Sequence, residues 1–400
     1  FKLQTNGYFQ NQGVDVMTFD DFYPEGHQSG VSLIMNGKRL ATNGDIRLEA
    51  TPGQWQPVPK QLKRNVDVSA NQIVTSLCFP DSSRHLAGFN PMIYPDLQLS
   101  YTVAVKGTKE GVKITVNLDR PIPEKYKGKV GFNLELFPGE CIGEPWLMDA
   151  KNGIFPSQPN GPVQSVQSNM AYAHDNSPLP DGDARKADMQ RLIDDVGYSP
   201  IVADDIIGTP YAEGYSFTAF PTDTLRRFTI SSAQKLMLYD GRINHNNGWF
   251  VLRSEIPTGV TDHAIEWTLT PAVSADWMYK PVIQISQVGY HPNQSKTAII
   301  ELDKRDVSRP RAILYRIDKD GRKTVCDMTE KEWGPFLRYN YLQCDFSQIK
   351  EEGLYQIEYG RSQSSTFRIA SDVYDRGVWQ PVLEYFLPVH CQHCENAPCE

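Results

Sequence analysis

The sequence predicts a mainly β protein, a large N-terminal β-sandwich followed by a smaller immunoglobulin-like β-sandwich. Three observations carry that prediction. Apolar and polar residues alternate with a period of two in many short runs. Gly, Pro, Asn and Asp separate these runs, with hardly any amphipathic helical pattern between them. At 400 residues the chain exceeds what one hydrophobic core organises, so more than one domain is required.

The elements follow in order. GVSLIMNGK and DIRLEATPG are the first clear strand candidates. LSYTVAVKG and GVKITVNLD then alternate on both sides of a short polar link, the pattern of a half-buried hairpin. KVGFNLELFPG, LRRFTISSA, QKLMLYDGR, GWFVLRSEI and DHAIEWTLTP continue the series, and residues 1–279 read as one large unit. Within it, from about 149 to 210, the sequence turns polar and rich in Pro, Gly, Asn and Ser. This stretch predicts a long surface excursion, either a ligand- or neighbour-touching loop or a plain insertion. From 280 to 370, IQISQVGYHPNQSKTAIIELD, RPRAILYRIDKDGRKTV and the run from Leu337 to Ile369 give about seven strands, the size of an immunoglobulin-like sandwich.

Charge and composition exclude several function classes. A formal net charge of −8 provides no global positive field for nucleic acid or an anionic membrane surface. No run is apolar enough to span a bilayer, and FKLQTNGYFQ lacks the basic start and apolar stretch of a signal peptide. The chain is therefore read either as cytosolic or as beginning after a removed signal.

Several residue groups invite chemistry and are better read as structural. Asp181, Gly182, Asp183 and Asp188 suggest a calcium loop but lack its spacing and terminal Glu. Asp204 and Asp205 are adjacent, so on an extended segment they point opposite ways and make a poor acid and base pair. His245 and His263 have no partners at ligand spacing. Cys326 and Cys344 lie on successive strand-like segments, where a bridge and two small buried thiols are both open readings.

Residues 281–370 resemble the immunoglobulin-like domain that precedes the catalytic barrel of family-9 glycoside hydrolases, the cellulase and endoglucanase group. SQVGYHPN at 286–293, LYRIDKDGR at 314–322, LRYNYLQCDFS at 337–347 and EGLYQIEYG at 352–360 carry the likeness. SDVYDRGVWQPVLEYFLPV, 371–389, resembles the linker and first helix of the family's helical (α/α) barrel, with Val378, Leu383, Phe386 and Leu387 near helical spacing. Residues 1–279 resemble only generally the extra N-terminal sandwich of some bacterial members.

The resemblance implies an inverting hydrolysis of β-glucan in which an Asp pair of a DAGD-type motif activates water and a distant Glu is the acid. This chain has no DAGD and stops after the first barrel helix, so no catalytic residue carries over and the chain alone is expected not to hydrolyse glycans. The implied partners are β-glucan or another plant polysaccharide and a missing catalytic barrel. The implied location is extracytoplasmic: periplasmic, cell-surface or secreted. Sugars stack on aromatic rings, and Trp55 and Trp146, in turn-rich segments, are expected to be exposed, making them the carbohydrate-binding candidates. For Trp249, Trp267, Trp277 and Trp333 a core role is expected.

The tail CQHCENAPCE resembles one cluster-binding segment of the iron-sulfur subunits of molybdopterin oxidoreductases. It places Cys391, Cys394 and Cys399 in C-x2-C-x4-C spacing beside His390 and His393, and ends before the fourth cysteine. No cofactor is expected here. An iron-sulfur cluster completed by another chain, and zinc held with His390 or His393, are the alternatives. Three functions follow: a noncatalytic portion of a secreted family-9-type hydrolase, a carbohydrate-binding or surface-assembly protein, and an iron-sulfur electron-transfer subunit. The first is the expected one.

Overall fold

Alternation becomes architecture at Leu99–Gly107 and Val112–Leu118, which pair antiparallel with Val103 opposite Val116 and Val105 opposite Ile114. These four side chains are buried, whereas Lys106 is exposed. A computed structural model of the chain describes residues 1–20, 30–49, 52, 59–82, 97–159, 161, 163–165, 206–243 and 248–386. Two units divide it, Phe1–Trp277 and Met278–Glu400. Trp55, the acidic residues from Asp181 to Asp205, His245, His390, His393 and Cys391, Cys394 and Cys399 lie outside the described residues.

Among the described residues, the first unit is built on one 16-stranded sheet with antiparallel pairing. Its residues Phe9, Val16 and Leu33 share a hydrophobic cluster with Ile73, Val105 and Trp267 from the far part of the ladder. One face of the sheet therefore curls round to enclose a single core, so the two layers of the expected sandwich are parts of one continuous sheet. The bend is made by Phe228–Asp240, which the sequence divides into two strand candidates and the structure joins into one strand of 13 residues. Its first part, Phe228–Ser232, pairs with Trp267–Pro271, and its last part, Met237–Asp240, pairs with Phe250–Arg253. On its other side Ala212–Ala219 follows with a register shift between Gly214 and Ser216. A long strand that changes partners beside such an irregularity is how a sheet turns a corner. At the base of the polar excursion, Val163–Ser165 pairs with Ile206–Gly208.

The second unit holds a 4-stranded and a 5-stranded sheet among the described residues. In the first, Val282–Gln284, Thr297–Asp303, Tyr339–Asp345 and Glu330–Phe336 lie side by side. Ala298, Ile300, Leu302, Leu342 and Cys344 of this sheet share one core with Leu314, Tyr355, Ile357 and Tyr359 of the other. This is the stacked pair of antiparallel sheets of an immunoglobulin-like domain. Cys326 and Cys344 sit on strands of different sheets and are both free thiols, so no bridge joins them. Burial pushes the Cys344 thiol up to about 12, which makes it unreactive at neutral pH. Residues 380–386 are helical, and Val382, Leu383, Tyr385 and Phe386 are exposed there.

Candidate functional site

The tryptophans are distributed differently from the expectation. Trp146 is 6% exposed: Pro145–Met148 pairs with Lys151–Ile154, and the indole packs over Gly153 directly across that hairpin. Its faces are closed to a sugar, and the expected exposure of Trp146 is corrected. Trp267 is fully buried and Trp249 packs edge-on against Phe137 at 4.6 Å, in keeping with structural roles. Trp333 reverses the expectation of a core residue, for it is 57% exposed.

The cause is a bulge. Glu330–Phe336 and Tyr339–Asp345 pair with a register shift between Glu332 and Gly334, so Trp333 is the extra residue. Gly334 takes φ +113, a conformation that residues with a side chain rarely adopt, and the strand can therefore turn the indole outward. Alternation completes the surface. Ala298, Ile300, Leu302 and Leu342 point into the core, while Ile299, Tyr341 and Gln343 take the opposite face. Together with Trp333 and Phe336 they line a shallow cleft of about 360 Å³. The Trp333 ring stands at 81° to Phe336 and 89° to Tyr341, forming a right-angled aromatic corner. Glu301 braces its edge, accepting hydrogen bonds from Tyr279 at 2.7 Å and Tyr341 at 3.0 Å. Burial, then the bond to Glu301, pushes the Tyr341 hydroxyl up to about 12, so it stays a neutral donor. Exposed ring faces beside an amide are a chemistry suited to the C–H faces and hydroxyls of a sugar.

The first unit offers a second polar arrangement. In Val130–Leu136, Phe132, Leu134 and Leu136 join the main core, so Asn133 and Glu135 point to the other face. Asn133 Nδ2 donates to Glu49 Oε1 at 2.5 Å, and Arg253 Nη1 donates to Asn133 Oδ1 at 3.0 Å and to Glu49 Oε1 at 3.3 Å. Arg253 Nη2 donates to the carbonyls of Glu49 at 3.1 Å and Lys129 at 2.9 Å. A Cβ at position 131 would lie 2.8 Å from the guanidinium carbon, so only Gly131 leaves room for this side chain. Asp45 accepts from Tyr101 at 2.9 Å, and Arg47 lies 3.8 Å from its second oxygen.

Burial pushes the Glu49 carboxyl up to about 7, against the pull of Arg253, Arg47 and the Asn133 bond. It pushes Asp45 up to about 6 against Arg47, and raises Glu135 as well. A carboxyl raised by folding binds its proton more tightly in the native state. Its contribution is fully present below the unfolded pKa, near 4.5 for Glu49, and is lost as pH rises through about 7. The first unit is therefore predicted to lose stability between pH 4.5 and 8, with Glu49 contributing on the order of 3 kcal/mol. Glu49→Gln, which mimics the protonated form, should flatten that slope. Urea unfolding at both pH values checks this, and an equal slope in the variant would place the proton elsewhere.

Sequence reasoning missed both groups. The outward Trp333 had a signal in the Gly that follows it, since Trp-Gly-Pro interrupts a strand. The Glu49, Asn133 and Arg253 cluster had none, because its members are far apart in sequence, with Asn133 and Arg253 inside strands and Glu49 just past the end of one. Among the described residues, no group of three or more His, Cys, Asp or Glu could hold a metal ion.

Residues 278–364 match the family described as the cellulase N-terminal ig-like domain. Among solved structures, a metagenome-derived glycoside hydrolase family 9 endoglucanase is 24% identical over 22% of this chain and 18% of its own, with a TM-score of 0.19. A glycoside hydrolase family 9 protein of Bacteroides ovatus is 22% identical over 23% of this chain and 16% of its own, also at 0.19. The Slr1438 protein from Synechocystis sp. PCC 6803 is 8% identical over 66% of this chain and 94% of its own, at 0.29. The chain thus spans only 18% and 16% of the two hydrolases it matches. No curated protein matches it. The second unit is accordingly similar, in sequence and in its paired sheets, to a cellulase N-terminal domain.

Proposed function

We propose that the chain is the noncatalytic N-terminal portion of a secreted, family-9-type glycoside hydrolase and that it holds β-glucan for a catalytic domain these residues do not comprise. The observation that carries the reading is the match of 278–364 to the cellulase N-terminal ig-like domain. The exposed corner of Trp333, Phe336 and Tyr341 with Gln343 supports a glucan contact on that same domain. No helix among the described residues is long and apolar enough to cross a membrane. The Asp pair of the family's motif is absent from the sequence, so the part assigned to this chain is to hold polymer rather than to activate water.

Retention of the chain on insoluble β-glucan tests this. Saturable retention is expected, and Trp333→Ala should weaken it about tenfold or more, since an exposed Trp anchor dominates a small contact. Because Trp333 is 57% exposed, the substitution should change stability by only about 0.5 kcal/mol. Unchanged retention by Trp333→Ala would remove the cleft from the account.

A further inference from the structure

The rings of the Trp333 cleft make a corner and not a platform, and the backbone dictates it. The bulge between Glu332 and Gly334 takes Trp333 out of its strand's alternation. Tyr341 keeps its place in the unbroken register that runs from Thr297 opposite Asp345 to Asp303 opposite Tyr339. Phe336 stands 6.3 Å from the indole at 81°, and Tyr341 stands 5.9 Å from it at 89°. Trp333 and Phe336 are 57% and 54% exposed, so the corner is reached directly from solvent. The cleft also has a direction, for it crosses three neighbouring strands. Trp333 and Phe336 come from Glu330–Phe336, Tyr341 and Gln343 from Tyr339–Asp345, and Ile299 from Thr297–Asp303. Two strand spacings make about 10 Å, longer than one hexose ring.

This shape separates two forms of one polymer. The face of a crystalline glucan presents many sugar rings in a single plane, and aromatic rings grip it together only where they share a plane themselves. When the indole of Trp333 lies flat on such a face, Phe336 and Tyr341 meet it edge-on. An isolated chain exposes both the C–H faces and the hydroxyl-bearing edges of its sugars, and a corner meets both at once. The indole takes a face, while Gln343 and Tyr341 take hydroxyls along the edge. Tyr341 spends its proton on Glu301 at 3.0 Å, so its oxygen accepts from the sugar, and the Gln343 amide can both donate and accept. We propose that the Trp333 cleft takes a single β-glucan chain, free or in amorphous polymer, laid across the strands, and rejects the flat face of crystalline polymer. The inference rests on the glucan-holding reading of this domain and names the form of glucan that the domain holds.

Retention of the full chain on swollen amorphous cellulose and on microcrystalline cellulose, with soluble β-gluco-oligosaccharides as competitors, tests this. Affinity for the amorphous polymer is expected to exceed that for the crystalline one about tenfold or more, and the oligosaccharides are expected to displace the chain. Phe336→Ala should weaken retention on the amorphous polymer about threefold or more, because a corner needs its second wall whereas a lone indole platform does not. Phe336 is 54% exposed, so its removal leaves the core of the domain intact. Equal affinity for the two polymers, failure of the oligosaccharides to compete, or retention unaltered in Phe336→Ala overturns the single-chain inference and leaves the glucan-holding reading in place. Retention on neither polymer removes that reading and the inference with it.

Discussion

Above about pH 8, where Glu49 is ionised in the native state, Arg253→Met is expected to destabilise the Phe1–Trp277 unit by about 3–5 kcal/mol, the cost of leaving one member of a buried ion pair without its partner. Arg253 and Glu49 are both 2% exposed at the side chain, so water cannot replace what is lost. Four hydrogen bonds disappear together, two of them to the backbone carbonyls of Glu49 and Lys129. These bonds tie the end of Lys38–Leu48 to the start of Val130–Leu136, and their loss leaves buried acceptors as well as a buried charge. Methionine retains apolar volume, which separates the electrostatic loss from a cavity. Adding Glu49→Gln should restore part of the stability, because the stranded carboxylate is then neutral. Urea unfolding of the single and double variants measures the coupling directly.

Trp267→Ala is expected to cost a similar 3–5 kcal/mol, here through an emptied core. Trp267 is fully buried, meets Phe132 edge-on at 5.0 Å, and donates through Nε1 to Ser254 Oγ at 3.0 Å. Ser254 Oγ in turn donates to the Lys235 carbonyl at 2.9 Å, so the indole anchors a chain reaching into the corner strand Phe228–Asp240. Trp267→Phe, which keeps most of the volume but not the N–H, should cost distinctly less. A loss near zero for Trp267→Ala would contradict a core closed by the curl of a single sheet.

The strands were legible because a period of two is a local property. LSYTVAVKG and GVKITVNLD announce their hairpin with no help from distant residues, and Leu99–Gly107 pairs with Val112–Leu118 as that pattern requires. What tertiary structure decides was hidden. VGFNLEL alternates and so reads as half exposed, yet Val130–Leu136 is buried on both faces, because Arg253 and Glu49 arrive from distant parts of the chain to satisfy Asn133. LRRFTISSA and QKLMLYDGR look like two strands, since nothing local says that one strand changes partners midway. Trp146 and Trp333 exchange their expected places for reasons of packing: a glycine across a hairpin admits one indole, and a bulge expels the other. The candidate cleft was therefore readable only in part, through the Gly that follows Trp333.

The proposed function requires this chain to hold glucan without cutting it. Reducing ends released from β-glucan saturated with the purified 400-residue chain test that claim most directly. The predicted result is a release indistinguishable from polymer incubated alone, while the chain itself is retained on the polymer. Time-dependent release proportional to the bound chain would contradict it.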